Sequence, residues 1–280
     1  MKSLQGKTAL VTGGSRGAGR GIALELAKAG AYVYVTGRTT AAEAAIRNAG
    51  DIDSTIREIH DEGGEGTAIR CDHTIDVETE RVIRQIEAER GRLDILVNNV
   101  WGGNELSIDI KPFWEQPVAH WDNMFTSGVR GQLMTNYYAI PLMRRNSEGG
   151  IIIHTTYWDD YKYIGNFYYD LSKNALVRMA FGLSEELRAD GIAVIPLSPG
   201  WMRTELVLRS LNTDEEHWRE VEELHSSEST HYIGRAVCAL AADPSNLIKS
   251  GHPQQVGVLA IEYGFTDIDG RQVPVFKIPE

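Results

Sequence analysis

Short apolar runs and longer amphipathic stretches alternate along this chain. The runs occupy 8–12, 31–36, 66–71, 93–97, 151–155, 192–197 and 256–261 and are rich in Val, Ile, Leu and Ala. Runs of this length and composition read as strands. Between them apolar positions recur at helical spacing: Ile22, Leu24, Leu26 and Ala27 after the first run, then Val82, Ile83 and Ile86 within 75–90. Helices are also expected over 40–62, 121–145 and 167–188, with Gly30, Gly63 and Gly91 closing the early ones. This alternation, with crossovers long enough for helices, predicts an α/β fold: a doubly wound, parallel, seven-stranded sheet with helices on both faces. The stretch 101–117 is irregular and aromatic, a loop insertion over the carboxyl ends of the strands. Residues 201–231 are polar and helical, a lid, and 263–280 form an extended strap. With no repeat or linker, 1–280 is one domain.

Helix 167–188 carries Leu171, Ala175, Leu176, Val177, Met179, Ala180, Phe181 and Leu183, apolar around more than one stripe. Such a helix buries two faces, one of them against another subunit, so a homodimer or homotetramer is expected. The 42% hydrophobic and 24% charged content is that of a soluble globular protein. A net charge of -11 argues against nucleic acid as a partner. Cys71 and Cys238 are too few for a disulfide framework and suit a reducing compartment. The start has no apolar run of signal-peptide length, and no stretch reaches the roughly 18 apolar residues of a membrane span. The expected address is cytoplasmic, with no membrane partner.

The chemistry starts where the first strand ends. Thr12-Gly13-Gly14-Ser15-Arg16-Gly17-Ala18-Gly19 is a glycine turn between strand and helix. That order gathers unpaired backbone N–H groups and the positive end of a helix dipole at one point, where a pyrophosphate can sit. Gly17 and Gly19 are expected to let backbone approach the ligand, where a Cβ would stand in the way. Dinucleotide folds commonly place an acid at the end of the second strand for the ribose 2′-hydroxyl. Here Gly37 holds that place and Arg38 follows, with Arg16 inside the glycine turn. Two guanidinium groups and no carboxylate suit a 2′-phosphate.

Of eleven tyrosines, only Tyr169 has a lysine four residues on, Lys173. On a helix the two share a face, and an ammonium one turn away would lower the phenol's pKa. Thr156, 13 residues before Tyr169 at the end of the fifth strand, offers a hydroxyl to a substrate carbonyl. His154 beside it reads as a hydrogen-bonded packing histidine. His217, His225 and His231 lack metal-like spacing, so no metal is expected.

These residues resemble the short-chain dehydrogenase/reductase family, single-domain and Rossmann-type, over about 7–261. The resemblance rests on the glycine turn, Asn98-Asn99-Val100-Trp101-Gly102, Tyr169-x-x-x-Lys173 and Ser198-Pro199-Gly200. The Val-Trp-Gly-Gly variant and the ending Tyr263-Gly-Phe-Thr-Asp-Ile-Asp-Gly-Arg271 are similar to the branch named after family member 1. The resemblance implies a cofactor site of Thr12, Gly13, Ser15, Arg16, Gly17, Ala18, Gly19, Arg38, Asp72, Asn99, Tyr169, Lys173 and Thr204. Asp72 would meet the adenine, Asn99 would line the channel, and Thr204 would hold the carboxamide or pyrophosphate. The catalytic set would be Thr156, Tyr169 and Lys173, with threonine for the family's usual serine. The family's fourth catalytic residue, an asparagine, aligns with Gly128.

The expected function is an NADPH-dependent oxidoreductase, with NADP(H) as cofactor, reducing a ketone or aldehyde to an alcohol. Tyr169 would give the proton, Lys173 would lower its pKa and fix the nicotinamide ribose, and Thr156 would hold the substrate oxygen. Trp101, Trp114, Tyr157, Trp158, Tyr161, Tyr163 and Trp201 lie in loops expected near the pocket. They suit an apolar or aromatic carbonyl or alcohol, or pack the loops together. Gly128 leaves open an NADP(H)-binding redox sensor without turnover. An epimerase or dehydratase on the same fold is the third reading.

Overall fold

A computed structural model describes residues 3–42, 50–106, 108–160 and 162–278. The early elements are β1 (Thr8–Thr12), α1 (Gly17–Lys28), β2 (Tyr32–Gly37), α2 (Ile52–Asp61), β3 (Glu65–Arg70), α3 (Asp76–Arg90) and β4 (Ile95–Asn98). A composite helix, α4, opens at Ala119–Trp121, runs as a π-helix over Asp122–Arg130 and continues as an α-helix over Gly131–Met143. Then come β5 (Gly150–Thr155), α5 (Phe167–Leu187), β6 (Ile192–Ser198), α6 (Glu205–Ser210), α7 (Thr230–Ala242), β7 (Gln254–Gln255) and α8 (Val256–Tyr263).

The strands form one parallel sheet in the order β3-β2-β1-β4-β5-β6-β7, as the strand–helix alternation predicts. The chain reverses its direction of growth between β1 and β4, and their carboxyl ends open the crevice where such sheets bind ligands. Alternate residues serve opposite faces. Val11, Val35, Val97 and Ile153 pack with α1, α2, α7 and α8, while Leu10, Tyr34, Leu96 and Ile152 pack with α3, α4 and α5.

Three expectations change. The apolar run 256–261 is not the seventh strand: it is the helix α8, and β7 is the two residues before it. Val256, Gly257, Leu259 and Ala260 are its buried positions, one helical stripe within an almost wholly apolar run that hides its own period. Of the helix expected over 40–62, Ile52–Asp61 is seen, with Asp51 capping Ser54 N–H; 43–49 lie outside the described residues. The 201–231 segment is mostly irregular, with α6 and two 3₁₀ turns gathered around Leu208, Trp218 and Leu224. On α5, Ser172, Lys173, Leu176, Ala180, Ser184 and Leu187 are buried, while Leu171 and Phe181 are exposed. No helix among the described residues is long and apolar enough to cross a membrane.

Candidate active site

The glycine turn is braced from β4. Thr12 Oγ1 donates to Val97 O (3.2 Å) and accepts from Asn99 N–H (2.9 Å). Asn99 Nδ2 donates to the carbonyls of Thr12 and Gly13, both at 3.1 Å. Asn99 therefore fixes the turn with its amide. Gly13 and Gly17 have φ of 69° and 55°, left-handed values that favour glycine. A Cβ on Gly17 would meet only Thr204, at 3.6 Å, so that position is open as expected. Gly19 differs from expectation: a Cβ there would collide with the Gly13 carbonyl and the Asn99 amide, so it serves packing inside the turn rather than approach of a ligand. Ser15 and Ala18 lie within the same turn, half-buried.

At the head of α1 stands a residue that sequence reasoning missed. Glu205 Oε2 accepts from Gly17 N–H at 2.9 Å, while the first turn of α1 contains no acid of its own. A carboxylate from α6 thus satisfies the positive end of the helix. Thr204 reaches the turn too, with its Oγ1 capping α6 by accepting from Val207 N–H at 3.3 Å. An open glycine, a positive helix end and a donor already aimed at an anion fit a cofactor's phosphate.

At the end of β2, a Cβ on Gly37 would lie 2.9 Å from Ile52 Cγ2, so the usual acid has no room there. Arg16 and Arg38 are exposed beside this edge. Asp72 accepts from Thr74 N–H and Oγ1 at 3.0 and 2.7 Å. Burial alone would raise its carboxyl, but those bonds and the charge of Arg38 hold it below the usual carboxylate range.

Tyr169 and Lys173 sit on the first turns of α5, which Asn166 caps by accepting from Tyr169 N–H at 3.0 Å. Trp101 meets the Tyr169 ring edge-on at 5.5 Å, and Tyr157 lies 6.3 Å away on another side. Lys173 Nζ stands 4.0 Å from the Trp101 ring centre and 5.7 Å from that of Tyr169, and donates to Thr155 O at 3.5 Å. Burial pushes the Tyr169 phenol up to about 12 and the Lys173 ammonium down to about 7. The expected lowering of the phenol by its lysine is therefore not what this arrangement gives: desolvation wins. Thr156 Oγ1 donates to Lys173 O at 2.7 Å, which ties β5 to α5 and commits the hydroxyl proton to the protein.

Of the expected aromatic cluster, Trp101 and Tyr157 flank Tyr169. Trp114, Tyr163 and Trp201 are exposed, Trp158 N–H donates to Ser198 Oγ at 2.9 Å, and Tyr161 lies outside the described residues. Below the site runs a buried polar chain. Asn98 Nδ2 donates to Asn136 Oδ1 (2.7 Å), Asn136 Nδ2 to His154 Nε2 (3.2 Å), His154 Nδ1 to Gln132 Oε1 (2.7 Å), and Gln132 Nε2 to Val100 O (3.3 Å). The amide orientations place the histidine proton on Nδ1. Burial pushes its pKa down to about 3, so His154 is the packing histidine the sequence suggested.

The far rim is held by Glu228. Its Oε2 accepts from Gly200 N–H at 3.0 Å, and its buried Oε1 has no hydrogen-bond partner. Burial pushes its carboxyl up to about 8, Asp267 adding to the rise and Arg203 opposing it. Arg203, itself buried, pairs with Asp267 and donates to Ser227 O at 3.2 Å. Ile278 lies against this side: its N–H donates to Asp159 Oδ2 at 2.6 Å, and Lys162 Nζ donates to its carbonyl at 3.0 Å.

The family model for short chain dehydrogenases matches residues 7–216. The mouse protein named dehydrogenase/reductase SDR family member 1 is 36% identical over 278 residues, covering 96% of this chain and 86% of its own. The 7alpha-hydroxysteroid dehydrogenase of Escherichia coli strain K12 is 34% identical over 217 residues, 76% of this chain and 77% of its own. A solved 7α-hydroxysteroid dehydrogenase, complexed with NADH and 7-oxo glycochenodeoxycholic acid, superposes with a TM-score of 0.73 at 27% identity, covering 90% of this chain and 93% of that one.

Proposed function

The chain belongs to the short-chain dehydrogenase/reductase family, in the branch of family member 1, and from that premise we propose that it is an NADP(H)-dependent carbonyl reductase. The observation that carries the reading is the placement of Tyr169 and Lys173 on one face of α5, below the crevice that the glycine turn opens. Thr12, Gly13, Ser15, Arg16, Gly17 and Ala18 would cradle the dinucleotide, with Gly19 packed inside the turn and Asp72, Asn99 and Thr204 around it. Arg16 and Arg38 would hold the 2′-phosphate, since Gly37 leaves no room for an acid. The cofactor, when bound, supplies the hydride.

This chain's residues do the rest. A phenol pushed up to about 12 keeps its proton at neutral pH, so Tyr169 Oη enters the reaction as an acid and delivers that proton to the carbonyl oxygen. Lys173, whose Nζ lies 5.7 Å from the Tyr169 ring centre, would steady the phenolate left behind. Thr156 would hold the substrate oxygen, for which its proton must leave the Lys173 carbonyl. Trp101 and Tyr157 wall the site with aromatic surface, which supports an apolar or aromatic ketone or aldehyde. Leu171 and Phe181 on α5, with Leu133 and Tyr137 on α4, are exposed and suit a second copy of the chain, as a homodimer or homotetramer.

Oxidation of NADPH and NADH by the pure protein, across a panel of ketones, aldehydes and diketones, tests the reading. NADPH should bind at least ~10-fold more tightly, and Arg38→Asp should reverse much of the preference, since charge-assisted bonds are worth ~1.5–3 kcal/mol each. Tyr169→Phe should lower kcat by ~10²-fold while leaving NADPH affinity intact. Equal affinities would overturn the cofactor assignment, and full activity in Tyr169→Phe would overturn the chemistry. Cofactor binding without turnover on any carbonyl would favour the redox sensor, the reading that an apolar ring beside Gly128 supports.

A further inference from the structure

Resting on the reductase reading, we propose that Trp101 is the positioning residue for Lys173: lodged in the space that Gly128 leaves on the π-helical stretch of α4, its indole face holds the ammonium beside Tyr169.

The slot for the indole is built of glycines on two sides. A Cβ on Gly128 would lie 2.8 Å from Trp101 Cε3 and 2.9 Å from Cζ3. A Cβ on Gly103 would lie 2.5 Å from Cε2 and 2.6 Å from Nε1. Neither position can carry a side chain while the ring is there, so the glycine at 128 and the tryptophan at 101 are two halves of one arrangement. The π-helix supports it. Its wider turns leave Gly128 buried with its Cα toward the ring, and Gly102 presses on Ser127, whose Cβ would be 2.9 Å from an added methyl. From the other side, Gln132 on α4 holds Val100 O, the carbonyl just before the tryptophan.

The ring then does for Lys173 what a polar neighbour would. The lysine is buried, its hydrogen bond to Thr155 O is long at 3.5 Å, and Thr156 Oγ1 points its proton at the lysine's own carbonyl. Tyr169 on the same helix is its titratable neighbour, and burial alone accounts for the lysine's lowered titration, with no carboxylate contributing. Trp101 offers its π face at 4.0 Å, a distance at which the ring quadrupole attracts a cation. The same ring meets Tyr169 edge-on, so one side chain fixes the separation of the pair.

Protein labelled with lysine carrying carbon-13 at Cε reports the Lys173 titration directly, its signal assigned by loss in Lys173→Gln. Trp101→Leu removes the π face and should lower the titration midpoint by about 0.5–1 pH unit, whereas Trp101→Phe keeps a ring and should hold it within about 0.3. An unchanged midpoint in Trp101→Leu, or equal shifts in both variants, overturns the proposal. So does a rise, which would mean that the indole acts only by excluding water. Gly128→Ala pushes the ring away while leaving it in the chain and should shift the midpoint downward as well, covering the case in which Trp101→Leu does not fold. This readout needs neither cofactor nor turnover, so it stands apart from the reductase reading. With NADPH and 9,10-phenanthrenequinone as probe, the alkaline limb of kcat should move with the midpoint.

Discussion

Thr156 holds two jobs that compete for one proton. Its hydroxyl now bonds the Lys173 carbonyl, and the proposed reaction asks the same proton to face a substrate oxygen. Thr156→Ser keeps a hydroxyl in reach of both and should retain most of the activity. Thr156→Val keeps the shape and loses both bonds, leaving the Lys173 carbonyl with its partner in the α5 helix alone, at a cost of ~0.5–1.5 kcal/mol. Turnover should fall by ~10²-fold, the scale of losing one donor to a developing oxyanion. Thermal melts beside steady-state rates check this, and a Thr156→Val protein that melts early yet turns over normally would remove the residue from the chemistry. At this scale the sequence was readable wherever a role follows from spacing along one element. Tyr169 and Lys173 lie a helical turn apart, and Gly13 to Gly19 announce a turn. Trp101 beside Gly128 and Glu205 on Gly17 were hidden, because each pair joins residues remote in sequence that only the folded chain brings into contact.

Between elements, the meeting of α1 and α6 has the clearest consequence. Glu205 bonds the N–H that a cofactor phosphate would use, so α6 and a cofactor would compete for the head of α1. Glu205→Gln removes the charge but keeps the length, and NADPH affinity should rise by roughly 3–10-fold. Titration calorimetry reads this, and weaker binding in the variant would show that Glu205 helps to hold the cofactor instead. The succession of strands and helices was legible because period and length distinguish them through most of the chain. The distinction failed at α8, where nearly every residue is apolar and the boundary with the two-residue β7 leaves no mark. The π-helical stretch of α4 packs against Trp101 and α5, and Gly128, the glycine that aligns with the family's asparagine, lies within it.

Across the whole molecule, Glu228 ties Gly200 to the segment before α7 and makes stability depend on pH. Its carboxyl, ordinarily near 4.5, is pushed up to about 8, so the folded protein binds a proton through that interval which the unfolded chain has released. Stability from this group is complete at pH 4.5 and is lost as pH rises through 8. Melting curves at pH 5, 7 and 9 should show the native protein losing roughly 3 °C or more relative to Glu228→Gln. Lys173 acts in the other direction above about 7, and the difference between the two proteins cancels it. Parallel curves would mean that Glu228 is ionised throughout. At the crossing of α1 and α7, two glycines leave no room for a side chain. A Cβ on Gly21 would overlap the Thr230 carbonyl, and one on Gly234 would come within 2.7 Å of the Gly21 carbonyl. Glycine has nothing further to give up, so neither helix can make way for a change in the other. A lineage that drifts by single substitutions meets a wall at this crossing and an open field on the exposed loop around Trp114 and Ile110. New substrates can thus be tried on that loop while the packing of α1 against α7 stays locked.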